Sequence, residues 1–169
     1  WWSRLLNGGI EPCNASARAH CATKSFSFGQ DLYTPARHVG EAAPPPGSRP
    51  NAAWLYVEEA SRVATRSRLD ESSIALGTTG SPALGQLAQR VAHATASYNR
   101  PIDWSHQLPA EPGILVRYEH TERWIVLGED AQFGAALEPH AGAAAGNILT
   151  EAAAGLRARF GLGLQHPWM

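Results

Sequence analysis

A two-residue alternation runs through most of the chain. Across residues 25–34, Phe26, Phe28, Gln30, Leu32 and Thr34 share one side of an extended backbone. Ser25, Ser27, Gly29, Asp31 and Tyr33 take the other. That pattern predicts a strand, which Pro35 ends. Residues 52–65 predict a second strand, with Trp54 and Tyr56 alternating with Leu55 and Val57. Residues 71–78 predict a third, carrying Ile74 and Leu76 on one side. The polar turn 66–70 makes a hairpin of these two. Alternation returns at 113–121, where Ile114, Val116, Tyr118 and His120 oppose Leu115, Arg117, Glu119 and Thr121. Residues 124–128 and 132–138 read as further strand pieces. The Ala- and Gly-rich stretch 142–160 is read as strand, because Leu156, Ala158 and Phe160 alternate with Arg157 and Arg159, although an Ala-rich sequence also permits a helix.

One segment changes period. Ser81 is a good N-cap and Pro82 suits the first helical position, which predicts a short helix over residues 82–96. At about 100° per residue, Leu84, Leu87 and Val91 fall on one face, and Gln86, Gln89 and His93 on the opposite one. The apolar face is expected to dock on the sheet and the polar face to look into solvent or a cleft. Residues 36–50 contain Pro44-Pro45-Pro46-Gly47 and predict a long loop. Residues 1–24 show no clean period, and 163–169 form a tail. The expected organisation is therefore a poorly defined segment 1–24, a β domain over 25–162 and the tail.

Composition narrows the class. The chain has 169 residues, 14 Lys plus Arg and 15 Asp plus Glu, for a net charge of −1. That balance excludes a nucleic-acid binder resting on bulk basic charge. Mean hydropathy is −0.26. No apolar run reaches the length of about 18 residues that a membrane-spanning helix needs. A transmembrane β-barrel stays open, because its short alternating strands escape hydropathy averages. A side of Ile, Val and Tyr toward lipid with Arg and Glu toward a lumen suits one, and so does a soluble antiparallel sheet. The chain begins at Trp1, so either a leader has been removed or this is a fragment. Cys13 and Cys21 are the only cysteines, and their spacing leaves a disulfide and two free thiols equally open.

Candidate chemistry gathers in the helix and the loop after it. His93 lies one turn beyond Gln89, and an i, i+4 pair brings two side chains together. Imidazole serves as a base near neutral pH, and Gln89 is placed to orient it or to bind substrate. From the pattern alone, an ordinary exposed histidine on a surface helix accounts for His93 better. In the loop, Trp104, Gln107 and Glu111 suit a site mouth, although Trp104 reads first as a buried anchor. No esterase elbow, phosphate loop or paired metal-spaced histidines occur in the sequence.

Several segments resemble one family, the outer-membrane lipid A 3'-O-deacylases of the LpxR type. They are Gly29-Gln30-Asp31-Leu32-Tyr33-Thr34-Pro35, Pro44-Pro45-Pro46, Arg49-Pro50, and Ala53-Trp54-Leu55-Tyr56. Leu76-Gly77 with Gly80, Gly85-Gln86, Gln89 and Ala92-His93 follow. Trp104, Gln107-Leu108, Glu111-Pro112-Gly113 and Gly146-Asn147 complete the series, which keeps the family's order.

The resemblance implies a mainly β fold: an antiparallel up-and-down β-barrel of outer-membrane type, incomplete at this length, with one short helix around 82–96. It implies the bacterial outer membrane as location and lipid A, or lipopolysaccharide, as partner. It implies calcium-dependent hydrolysis of the 3'-linked acyloxyacyl ester. The family's catalytic histidine falls at His93 and its glutamine at Gln89, with Arg37, Trp104 and Gln107 as substrate-binding candidates. The metal ligands are not identified.

The departures are specific. The family's Asn-Asp pair and Tyr-Thr-x-Gly turn are not found in residues 1–24. Arg49-Pro50-Asn51-Ala52-Ala53-Trp54 replaces the usual Arg-Pro-Tyr-Ala-Gly-Trp. Arg37 is the nearest match to the loop's basic residue. The alternatives are a catalytically inactive fragment, a non-enzymatic membrane-associated β protein, and a soluble β-rich domain.

Overall fold

The computed structural model describes residues 21–34, 47, 49–65, 67–95, 104–128 and 133–162. Seven strands carry most of them. They are β1 (Cys21–Tyr33), β2 (Ala52–Ala64), β3 (Arg68–Thr79), β4 (Pro112–Glu122), β5 (Trp124–Leu127), β6 (Phe133–Gly146) and β7 (Glu151–Leu162). They form one sheet in the order β1-β2-β3-β4-β6-β5, with β7 also paired to β6. The ladders that β6 makes with β4, β5 and β7 are all antiparallel. A 3-10 turn (Ser81–Ala83) and an α-helix, α1 (Gly85–Thr95), interrupt the strands between β3 and β4. The architecture is that of an up-and-down β sheet with one short helix. Cys21 is disulfide-bonded, and Cys13, the segment before it and the tail lie outside the described residues.

The side chains are arranged inside out relative to a water-soluble domain. Most large apolar side chains are exposed, among them Phe28, Val57, Leu76, Ile114, Val116, Leu156 and Phe160. The buried set is mostly small, with Ala53, Ala64, Ala75, Ala83, Ala136 and Ala144, and it includes the polar Thr121, Arg123 and Glu138. Lipid covers exposed apolar side chains of this kind in a membrane barrel, whereas water does not. The β4 alternation shows the division: Ile114, Val116 and Tyr118 are exposed, and Leu115 and Thr121 are buried.

Several sequence expectations need correction: β1 begins at Cys21 rather than at 25, and β3 at Arg68 rather than at 71, which shortens the turn expected over 66–70. Residues 142–160 are not one strand, because β6 ends at Gly146 and β7 begins at Glu151. Asn147 turns the chain there, its Oδ1 accepting from the Ile114 N–H at 2.9 Å. The helix does not begin on a Ser81 cap. Gly80 occupies the cap position of the 3-10 turn, and Leu84 takes a left-handed φ of 57° before α1 starts at Gly85. A Cβ at Gly80, where φ is +69°, would lie 2.6 Å from the Ala110 backbone N. Close passage of the 109–110 strand entry, not local capping, therefore fixes this corner.

Two compact units make up the chain: Trp1–Ser27, Glu58–Ala75 and Ile114–Met169 form one, and Phe28–Val57 with Leu76–Gly113 the other. In the first, strand pairing to β6 changes from β4 to β5 at Arg123. Thr121 pairs with His140 and Trp124 with Leu137, which leaves Pro139 at the break. Proline lacks an N–H, so its place at a ladder break costs no sheet hydrogen bond on that side. The Arg123 N–H bonds the Ser67 carbonyl instead, at 2.6 Å. Its side chain reaches inward to Glu138, Nε to Oε1 2.9 Å.

Candidate functional site

The site is built on the second unit. Leu55 and Val57 alternate with Trp54 and Tyr56 on β2, and Phe28, Gln30 and Leu32 alternate with Gly29 and Asp31 on β1. Gln30 Nε2 donates to the Ala83 carbonyl, which ties the 3-10 turn to β1. Ala53, Ala83 and Trp104 form a buried cluster with Leu55 packed against it. The start of α1 therefore rests on the face that carries Phe28, Leu32 and Val57, whose side chains are exposed beyond it. On the other face Tyr56 lies across Gly29 and stacks on Trp54, ring centroids 4.3 Å apart.

The apolar face of the helix does not dock as the sequence leads one to expect, while on the polar face Gln86 is exposed. Leu84, Leu87 and Val91 are 51%, 52% and 58% exposed. Gln89 and His93 are half-buried. Amphipathicity alone carries no sign: it says that the two faces differ, not which one meets solvent. On a sheet whose apolar face meets lipid, the apolar helix face turns outward as well.

The loop after α1 closes the site. Trp104 is buried at 3% exposure. Its indole Nε1 donates to Gln89 Oε1 at 2.7 Å. The Gln107 N–H bonds the Trp104 carbonyl at 3.3 Å, and the Leu108 N–H bonds the Asn51 carbonyl at 3.0 Å. Thr79 fixes the far end, its N–H donating to the Glu111 carbonyl at 2.9 Å and its Oγ1 to the Pro109 carbonyl at 2.9 Å. Gln107 Oε1 is buried without a hydrogen-bond partner among the described residues.

Of the residues singled out in the sequence, Gln89 and Trp104 are in direct contact. Gln107 hangs from the Trp104 carbonyl, and His93 follows Gln89 by one turn of α1. Arg37 lies outside the described residues. Gln30 and Gly85 stand in the sequence only as members of the segments that carry the resemblance, and Thr79 is not among the candidate site residues. Gln30 had a visible signal, as the polar member of a strand side otherwise set by Phe26, Phe28 and Leu32. Periodicity gives no signal for Gly85 or Thr79, since their importance comes from contacts with residues distant in the chain.

A separate cavity of about 500 Å³ lies in the first unit, lined in part by Glu58, Arg62, Glu71, Arg117 and His140. Arg62 pairs with Glu71 at 3.3 Å and Arg117 with Glu58 at 3.5 Å, and Glu119 and Glu151 line it as well. A polar, charged lining is ordinary for the interior of a membrane barrel.

The family described as outer membrane protein LpxR matches residues 1–168. The chain belongs to this family. It is accordingly an outer-membrane protein, which agrees with the exposed apolar strand faces. The solved structure of LpxR from Salmonella typhimurium is similar in fold, with a TM-score of 0.74 at 20% sequence identity. The match covers 85% of this chain and 48% of that one, so the chain spans about half the length of that protein. No curated protein sequence matches the chain.

Proposed function

We propose that this chain carries the site of a lipid A hydrolase that releases the 3'-linked acyloxyacyl chain. The observation that carries the reading is the position of Gln89 and His93. They share the half-buried side of a helix seated on an apolar, lipid-facing sheet surface. A membrane-embedded ester has its acyl chains in the hydrocarbon and its linkages at the border of the polar headgroups. A polar pair placed against a lipid-facing wall meets such an ester without extracting it from the bilayer.

The chemistry follows from the donor and acceptor set. Imidazole of His93 takes a proton from water as the water oxygen attacks the ester carbonyl carbon. The carbonyl oxygen becomes an oxyanion, and the Gln89 side-chain amide is a donor one turn away. Collapse breaks the carbon–oxygen ester bond. His93 returns the proton to the departing 3' oxygen, leaving a lipid A hydroxyl and a free fatty acid. Gln107 is proposed to meet a sugar hydroxyl of the substrate through its side-chain amide. Arg37 is proposed to meet a lipid A phosphate.

Calcium is part of the proposal only as a requirement to be tested. Calcium takes six to eight oxygen ligands and favours carboxylates. Among the described residues no three His, Cys, Asp or Glu side chains converge as a metal site. No step is therefore routed through the ion.

The test is acyl release from lipid A in mixed micelles, read by mass spectrometry with added calcium and with chelator. The folded chain is expected to remove the 3' acyloxyacyl group, and His93→Ala to leave the substrate intact. Lipid A binding without any release by the unaltered chain would overturn the hydrolase reading in favour of a non-enzymatic lipopolysaccharide-associated protein.

A further inference from the structure

We infer that Trp104 is a positioning residue that fixes which end of the Gln89 amide faces the substrate. The inference rests on the hydrolase reading for its consequence, but the contact itself is independent of it. An indole N–H donates and cannot accept. The primary amide of Gln89 has one accepting end and one donating end, and rotation about its last torsion exchanges them. With Trp104 Nε1 2.7 Å from Oε1, only one of the two orientations forms a bond. The other sets two donors against each other at the same distance. Trp104 therefore selects the orientation in which Nε2 and its two hydrogens point away from the indole.

The indole is itself held in place. Its ring is wedged against Gly85, where an added Cβ would lie 2.5 Å from Cη2 and 2.6 Å from Cζ3. Ala53 and Ala83 complete the pocket around it. The Trp104 carbonyl accepts from the Gln107 N–H, and the Leu108 N–H is bonded to the Asn51 carbonyl. A donor fixed by packing on one side and by backbone bonds on the other does not follow the amide if the amide turns. Among the described residues, Trp104 is the partner that holds the Gln89 side chain. Nε2 remains as a donor for an oxygen of the substrate. Trp104 thus works through Gln89 and is a wall of the site rather than its mouth.

Two measurements on the folded chain in detergent micelles separate the contact from its consequence. The first is hydrogen exchange at the Trp104 indole, assigned in the ¹⁵N–¹H spectrum through its proximity to Gly85. Exchange is expected to quicken by about tenfold or more in Gln89→Ala, and to stay slow in Gln89→Glu, whose carboxylate still accepts. An unchanged rate in Gln89→Ala would overturn the inference. This readout keeps Trp104 in place and needs no catalytic activity.

The second is the kinetics of Trp104→Phe, which keeps a ring but loses the N–H. It is expected to lower kcat by about ten- to a hundredfold with KM within about twofold, and to add nothing in a Gln89→Ala background. A raised KM with unchanged kcat would instead make Trp104 a substrate contact. If the unaltered chain releases no fatty acid, the hydrolase reading falls, while the exchange measurement still decides whether Trp104 fixes the amide.

Discussion

Gly85 lies directly under the Trp104 ring, at a distance that leaves no room for a methyl group: a Cβ there would also meet the Ala53 Cβ at 2.6 Å. Glycine at the start of a helix normally weakens it, and replacement by alanine in a helix gains up to about 1 kcal/mol. Here the sign is expected to reverse. Gly85→Ala must push Trp104 outward or displace α1 from β2, at an overpacking cost of about 1–3 kcal/mol. Urea unfolding in micelles, followed by tryptophan fluorescence, measures the change. A stabilised variant would show that the ring and the helix are not in contact.

Glu138 is fully buried among three guanidinium groups. Arg123 Nε and Arg159 Nη1 lie 2.9 and 3.4 Å from Oε1, and Arg157 Nη1 lies 3.5 Å from Oε2. Arg123 is itself buried, whereas Arg157 and Arg159 are about half exposed. Removing one partner of a buried pair leaves the other charge uncompensated. Glu138→Gln is therefore expected to cost about 3–5 kcal/mol. Arg157→Ala, which removes a partly solvated and screened partner, should cost no more than about 1 kcal/mol. Equal losses in the two variants, measured by the same unfolding assay, would show that Arg123 does not depend on Glu138.

Leu156 stands near the middle of β7 with its side chain exposed, on the strand side opposite Arg157 and Arg159. If that side meets hydrocarbon, Leu156→Arg should destabilise the protein by about 2–4 kcal/mol in a bilayer, the cost of a guanidinium near the midplane. Folding yield into lipid vesicles, read by heat-modifiable mobility on gels, reports the loss. Normal yield would place Leu156 against water.

The strands were legible because lipid on one side and polar groups on the other impose a period of two, which β2 shows from Ala52 and β4 through Pro112–Glu122. The turn at Asn147 was not. Small residues dominate both sides of it, so Ala143–Ala145 and Ala152–Ala154 give no contrast to mark where the chain reverses. The candidate site was half legible. Helical spacing, a local property, sets Gln89 and His93 side by side, and the family resemblance is what makes them site candidates. The Gln30 bond to Ala83, the fit of Trp104 on Gly85 and the Thr79 bonds to Pro109 and Glu111 join residues far apart in sequence. Helical spacing does not say which face looks outward, for a related reason: that depends on the solvent around the sheet beneath it.

That orientation of α1 is open to direct measurement. Leu84, Leu87 and Val91 are exposed on the helix side opposite the half-buried Gln89 and His93. Exposed leucine and valine each gain about 1.5–3 kcal/mol when fully buried in an apolar phase, so three on one face are enough to draw that face into the bilayer border. A nitroxide attached at Val91→Cys should collide more often with oxygen, which concentrates in hydrocarbon, than with a water-soluble nickel complex. Attached at Arg90→Cys, an exposed position with a charged side chain, it should show a lower ratio of the two. A ratio favouring nickel at Val91 would put the apolar face in water and detach the candidate site from the lipid surface. The Gln89 and His93 pair would then have no route to an ester that stays in the membrane.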